Sequence, residues 1–343
     1  MSAFIQDRYG PMEVGFRGLL QTVADLVKLL QKEDIVPDGA DKFPFKAAPI
    51  IMFVAIFSGF ATLPLAPGLI GSSTHIGLFF MISIISFDVI GFLLAGWASN
   101  NKYSLLGAMR GVAQIISYEV PMILLILSVV MISQSLSLQE ISLQQGILNK
   151  GEVNYLLGIK ALGINVNEIG GFLTWNVFRY PLLLIGVFMY FIVGLAESNR
   201  APFDIPEAES ELVAGFQTEY SGFRWSVIML SEYAMMFLIA ALGVILFLGS
   251  WNTPLPNIGS MQLATWTTGT EGSLSGYAWG MFWLMSKSLV WVVAMIWMRW
   301  AYPRLRVDQL MHLSWKILTP GALILILFAA IWKMLMIFPL ETM

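Results

Sequence analysis

The residues that could do chemistry are concentrated in one stretch, from Glu197 to Tyr220, which lies between two long apolar runs. It holds six carboxylates against a single arginine, and Pro202 and Pro206 argue against a continuous helix. One interpretation is a solvated acidic loop. The acids, however, are interleaved with arginine, aromatic and proline residues, and this favours a polar surface that handles charge or protons at a membrane boundary.

The composition is that of a membrane protein. Hydrophobic residues make up 57% of the 343 residues and charged residues only 12%, where a soluble chain would have about 25% charged residues. Because the apolar runs are long and continuous rather than alternating, we predict an all-α polytopic bundle. The net charge of −3 gives no indication of nucleic-acid binding.

The residue types limit the cofactors that this chain could hold. It has no cysteine, so it cannot ligate an iron–sulfur cluster through thiolates. Its two histidines, His75 and His312, are predicted to lie on opposite sides of the membrane, which argues against a haem held by both. Glycine-rich phosphate loops after a strand pattern are missing too. We therefore expect no metal and no redox centre in this chain, and any redox chemistry to come from a partner or a diffusible molecule.

Seven apolar segments are predicted to cross the membrane within residues 47–338. Most have the length required for a core of ~30 Å, and one of them is at the short limit. Without an internal repeat, the chain lacks the signature of many secondary transporters. The predicted spans lie near 47–66, 77–97, 112–132, 180–196, 226–249, 279–300 and 319–338.

Residues 1–46 precede the first predicted span. Within them, the pattern from Gln21 to Lys32 predicts a short amphipathic helix, suited either to the membrane surface or to packing as an ordinary surface helix. The distribution of lysine and arginine predicts the orientation. Fourteen of the nineteen fall on one side of the predicted spans and four on the other, with Lys287 inside a span. By the positive-inside rule, the N-terminal segment and the acidic loop, residues 197–225, are cytoplasmic.

Ionisable residues inside predicted spans are costly and are by default functional. Asp88, Glu119 and Glu232 are predicted at similar depths on three helices, with Glu197 at the mouth of the acidic loop and Lys287 near the bilayer centre. Buried carboxylates can exchange protons near neutral pH, which is consistent with a proton relay. The alternative is that each acid is a hydrogen-bond partner between helices.

Four motifs together resemble a known family, and the resemblance covers nearly the whole chain in order. They are Glu197–Tyr220, Trp97–Tyr103, Gln114–Glu119 and Tyr302–Met311, the last next to Arg299. They are similar to the H-type membrane subunit of bacterial proton-pumping NADH:quinone oxidoreductase, the respiratory complex I component related to the mitochondrial ND-one type. Without the resemblance, the arginines near Tyr302 could be explained as positive-inside anchoring alone.

The resemblance implies a quinone chamber and a channel of carboxylates that couples quinone reduction to proton translocation. Ubiquinone or menaquinone would be the substrate, while NADH, FMN and iron–sulfur clusters would belong to partner subunits. The implied location is the bacterial inner membrane, with other membrane-arm and peripheral-arm subunits as partners. The residues carried over for proton transfer are Glu197, Glu207, Glu209, Glu211, Glu119, Glu232 and Asp88, and those for the chamber are Arg8, Arg200, Phe203, Asp204 and Arg299.

One departure from the family pattern concerns the first helix. Family members have eight spans, and the segment like Ser2–Arg8 follows the first of them, whereas this sequence begins directly before that segment. We therefore expect an internal start or a truncation. Two rival functions stay open at this point. One is the ion-translocating component of a membrane-bound hydrogenase, and the other is a self-sufficient secondary cation transporter; a purely structural anchor would leave the buried acids unexplained.

Overall fold

The computed structural model describes residues 2–149, 155, 157, 165–207, 209–258, 261–268 and 271–337. This part of the chain is mostly helical and contains six helices or continuous helical segments that are long and apolar enough to cross a membrane, with one shorter apolar helix. The predicted all-α polytopic fold is confirmed. The long segments are α3 (Lys42–Phe60), α4 (Gly77–Ile85) with α5 (Asp88–Ala98), α6 (Lys102–Ser133), α10 (Leu182–Glu197), α12 (Gly222–Phe247), α14 (Leu274–Ala301), and α15 (Val307–His312) with α16 (Thr319–Ile337).

Short elements connect these segments. Residues Pro64–Ala66 and Leu69–Ile70 form a two-stranded antiparallel sheet. The short helices are α1 (Ser2–Ile5), α2 (Gln21–Gln31), α7 (Leu138–Gln144), α8 (Val166–Ile169), α9 (Asn176–Arg179), α11 (Glu209–Leu212) and α13 (Leu263–Thr267), with 3-10 turns at Phe16–Gly18, Gly171–Thr174 and Gly215–Gln217.

Two of the long segments are not regular α-helices throughout. Ser86 and Phe87 form a tight turn between α4 and α5, where Phe87 N donates to Ile84 O at 3.2 Å and Val89 N to Ser86 O at 3.3 Å. Leu313–Leu318 forms a π-helical turn between α15 and α16. Irregular turns within long helices are frequent at functional sites. Neither irregularity could be predicted from the apolar pattern, which continues through both.

Helix α12 is the central element of the bundle. In its most apolar window 78% of the residues are buried, whereas the figure is 22% for α14 and for the α15–α16 segment. α12 packs against α3, α10 and α14. The outward faces of α14 and α16 present large apolar side chains, as expected for helices that contact lipid.

The helix ends group into two ends of the bundle. The C-terminus of α5, the loop after α10 and the loop after α14 lie at one end, which we call the acidic end. There, Asp41 N donates to Ala98 O at 3.1 Å and Leu305 N donates to Pro202 O at 3.0 Å. α6 starts ten residues before the predicted span because its first turns carry Lys102 and Arg110, which lower the local hydropathy.

The predicted amphipathic helix is present as α2, and its C-terminal end adjoins the start of α12. Ile35 N donates to Ser221 Oγ at 3.1 Å, and Arg224 pairs with Asp34 at 2.9 Å. The apolar side chains of α2 are exposed, with Val23 and Leu30 both more than half accessible. Its attachment to the membrane surface stays a prediction.

The opposite end of α12 is closed by side chains from three other elements. The C-terminal carbonyls of a helix lack partners within it. Here, Gln145 Nε2 donates to Ile245 O at 2.7 Å and Asn176 Nδ2 donates to Leu246 O at 2.8 Å. Lys287 Nζ donates to the carbonyls of Leu248, Ser250 and Asn252, at 2.8, 2.9 and 2.5 Å.

Lys287 therefore has a structural role that its position inside a span did not reveal. Its ammonium lies at the negative end of the α12 dipole and over the Trp175 ring, 4.3 Å from the ring centroid. The side chain projects away from the carboxylates at the acidic end and serves as a cap for α12.

Candidate functional site

The acidic loop folds back onto α6 instead of extending into solvent. Its turn requires Gly215, which has φ +57°, and a Cβ there would come within 1.7 Å of Pro206 O. A Cβ on Gly107 of α6 would meet Gly215 Cα at 2.9 Å. Because both positions lack side chains, the loop backbone approaches α6 closely. The close approach buries the loop's polar groups.

Asp204 lies in this loop among three arginines. Its side chain is buried, and Arg304 Nη2 lies 3.4 Å from Asp204 Oδ2. Burial raises the pKa of Asp204 above its ordinary value, although the positive charges of Arg304, Arg299 and Arg200 act in the opposite direction. Arg304 therefore does more than anchor the end of α14, since it also reaches the acidic loop.

Arg200 is the buried cation of the loop, with only 7% of its surface exposed. The guanidinium lies over the Tyr233 ring, 4.3 Å from its centroid. Within the described part of the chain, its Nε and Nη2 atoms have no hydrogen-bond partner. A buried guanidinium with free donors is available to a further polar group.

Gln217 joins the loop to the membrane helices. Its Nε2 donates to Glu207 Oε1 in the loop and, at 2.9 Å, to Glu232 Oε1 on α12. One amide thus holds two carboxyl groups close together. Burial raises the pKa of Glu207 to about 10, and the nearby charges of Glu232 and Asp204 act in the same direction.

The raised pKa of Glu207 predicts how stability depends on pH. Folded Glu207 keeps a proton that the unfolded chain releases above its ordinary pKa of 4.5, so its contribution is full below that value and is lost as pH rises towards about 10. The melting temperature of the purified complex should therefore fall from pH 6 to pH 9, and Glu207→Gln should make this fall shallower. Glu211→Gln, at an exposed acid, is the control; equal slopes for Glu207→Gln and the unchanged protein would contradict the assignment.

A second group of acids lies among the spans. Asp88 begins α5, Glu119 lies on α6 and Glu197 ends α10. Glu197 interacts electrostatically with Glu119 and Asp88, and Glu232 interacts in the same way with Asp88. Asp88 and Glu197 are buried, and Asp88 Oδ1 and Glu197 Oε2 lack hydrogen-bond partners among the described residues. Buried oxygens of this kind bind ordered water or a mobile proton.

The structure also gives the positions of the other predicted residues. Phe203 is buried edge-on against Tyr118, with ring centroids 5.6 Å apart, and Arg299 is half-buried near Asp204. Glu211 forms an exposed ion pair with Arg110 at 2.6 Å, outside the buried group. Arg8 is exposed. The side chain of Glu209 is outside the described residues.

Two site residues were missed by the sequence analysis. Gln217 is uncharged and follows no pattern, and the only signal for it was its place in the acidic stretch. Ser86, whose hydroxyl contacts Glu119 Oε1, has no sequence signal because serine is common in membrane helices.

The arrangement suits proton transfer better than metal chemistry. Among the described residues, no group of three or more histidines, cysteines or acids could hold a metal ion. The acids instead succeed one another from the loop to the spans, each within electrostatic range of another. They can therefore hold and exchange protons without a resident metal.

Comparisons with known proteins give the chain its relatives. A family described as NADH dehydrogenase matches residues 1–330. The chain is 63% identical over 335 residues to the second H-type component of the NADH-quinone oxidoreductase of Cytophaga hutchinsonii, covering 97% of this chain and 92% of that protein. It is 51% identical to the H-type component of the NADH-quinone oxidoreductase of Chlorobaculum tepidum and 50% identical to that of Chlorobaculum parvum, each over 97% of this chain and 85% of the relative.

Proposed function

Because this chain belongs to the NADH dehydrogenase family and is a membrane subunit of an NADH-quinone oxidoreductase, we propose that its buried carboxylates couple quinone reduction to proton translocation. The observation that carries the proposal is the succession of acids from the buried loop to the middle of the bundle. Gln217 bridges the loop acid Glu207 and the α12 acid Glu232. Electrostatic interaction then links Glu232 to Asp88, and Asp88 to Glu197.

The quinone headgroup would react next to the acidic end, at a chamber shared with a partner subunit. Arg200, Phe203, Asp204 and Arg299 would form the wall on this side, with Arg8 at its edge. Reduction of a quinone to a quinol takes up two electrons and two protons. The electrons would come through partner subunits that hold the NADH site, the FMN and the iron–sulfur clusters.

Taking up protons near the loop would change the charge that the acids experience. Arg200 attracts Glu207, Asp204 and Glu232, so a change at any one of them alters the protonation of the others. The change would pass along Glu232, Asp88, Glu197 and Glu119 as a coupling free energy. We further propose that the acidic end faces the cytoplasm, as the distribution of lysine and arginine predicts.

The relay is tested with Glu119→Gln in the intact complex reconstituted into vesicles. Glutamine keeps the size of the side chain but carries no exchangeable acid proton. We expect normal assembly and about tenfold lower quinone-driven proton translocation, the effect of losing one proton-transfer group. Glu140→Gln, at an exposed glutamate after α6, is the matched control. Proton translocation at the normal rate in Glu119→Gln would exclude Glu119 from the path.

A further inference from the structure

The tight turn between α4 and α5 places a hydroxyl directly at a membrane carboxylate. Ser86 Oγ is within hydrogen-bond distance of two acceptors: the carboxyl atom Glu119 Oε1, and the carbonyl of Ile82 at 3.0 Å. A serine hydroxyl carries one proton, so it can donate to only one of these two at a time. It also keeps two lone pairs with which it can accept.

This geometry gives Glu119 a hydrogen bond in both of its protonation states. When Glu119 is ionised, the Ser86 hydroxyl can donate to its carboxylate. When Glu119 is protonated, the carboxyl group can donate to Ser86 Oγ, while the hydroxyl proton turns to Ile82 O. Neither state leaves a buried group without a partner, and the difference between them is one rotation of a hydroxyl.

The position of the turn supports a role beyond packing. Asp88 follows Ser86 by two residues, and Glu197 interacts electrostatically with both Asp88 and Glu119. Asp88 and Glu197 each have a buried carboxyl oxygen with no partner in the described part of the chain. Ser86 thus serves the one acid of this group whose carboxyl already has a side-chain donor.

We propose that Ser86 is a positioning residue for proton transfer, a hydroxyl that reorients as Glu119 gains and loses its proton. Ser86 keeps its own proton throughout, so it neither supplies nor consumes one. The inference rests on the proposed function of Glu119 and adds to it the group that makes both states of that acid tolerable. In the same segment, the 3-10 character of the turn brings the hydroxyl towards α6.

The test compares Ser86→Ala and Ser86→Thr in the intact complex, with Ser83→Ala as the control. Ser83 lies one turn earlier on α4, is exposed, and makes no contact with the acids among the described residues. We expect Ser86→Ala to lower proton translocation about tenfold, the equivalent of one hydrogen bond to a charged group. Ser86→Thr retains the hydroxyl and should restore most of the rate, and Ser83→Ala should leave it unchanged.

Infrared difference spectra upon quinone reduction supply a readout that mere packing would not change. The carboxyl C=O band that disappears in Glu119→Gln identifies Glu119. In Ser86→Ala this band should move to higher frequency because the protonated carboxyl has lost its acceptor, and in Ser86→Thr it should stay in place. Ser86→Cys, similar in size to serine but with a weak donor, should give an intermediate band.

The outcomes separate this inference from the function on which it rests. If Glu119→Gln abolishes translocation but Ser86→Ala leaves both the band and the rate unchanged, the role of Ser86 is refuted and the relay stands. If Glu119→Gln itself has no effect, the relay is refuted. If alanine, threonine and cysteine at position 86 all lower the rate with the Glu119 band unmoved, Ser86 only packs the turn and the inference is wrong.

Discussion

Arg200→Met should give the largest loss of any single substitution in this chain. The guanidinium is the buried cation facing Asp204, Glu207 and Glu232, and methionine fills much of its volume without the charge. Removing one member of a buried charged group costs about 3–5 kcal/mol, because the charges left behind are uncompensated. We expect strongly reduced amounts of assembled complex, and quinone reduction close to background in the fraction that assembles.

Arg110→Met is the matched control, because it removes the same side chain from an exposed ion pair with Glu211, where the cost is at most about 1 kcal/mol. Arg200→Lys separates charge from shape, since it keeps the positive charge but loses the planar group over Tyr233. It should assemble better than Arg200→Met. The content of complex is measured on native gels and the turnover as NADH oxidation by added quinone. Wild-type turnover in Arg200→Met would show that the buried cation is dispensable.

Glu232→Gln should block proton translocation while leaving the architecture intact. The replacement keeps an oxygen that can accept from Gln217 Nε2, so the bridge to Glu207 can still form. What is lost is the acid proton at the point where the loop meets the membrane helices. We expect translocation to fall about tenfold or more, in line with the loss of one proton-transfer group.

Glu219→Gln provides a control at the same end of the bundle. Glu219 accepts from Asn101 Nδ2 at 2.7 Å and is not linked to the buried acids. Proton uptake is followed with a pH-sensitive dye in vesicles, together with quinone turnover. Should Glu232→Gln pump at the rate of Glu219→Gln, the path from loop to bundle would have to avoid α12.

The helical architecture and most of the acids could be predicted from the sequence because each has a local signal. Long apolar runs predict spans, and a carboxylate such as Glu232 inside one is conspicuous because it is costly there. The partners of these acids have no such signal. Gln217 and Ser86 become important only through distances between segments that are far apart in the chain, and a single sequence does not reveal those distances.

Lys287 shows the limit of the same reasoning. A charge within a span has two physical explanations, a functional site or a group that satisfies backbone carbonyls, and both have the same sequence pattern. The choice depends on where α12 ends relative to α14. Similarly, the arginines after α14 fit membrane anchoring, and only the contact of Arg304 with Asp204 shows the additional role.

The cap on α12 also means that the protein supplies its own counter-ion at that end. Three carbonyl oxygens that converge at the negative end of a helix resemble a site for a dissolved cation. Across an energised membrane, such a site would fill and empty as the ion gradient changed. A covalently tethered amine cannot diffuse away. The most enclosed helix of the bundle is therefore insulated from the salt composition on that side, and its electrostatic changes originate at the acidic end.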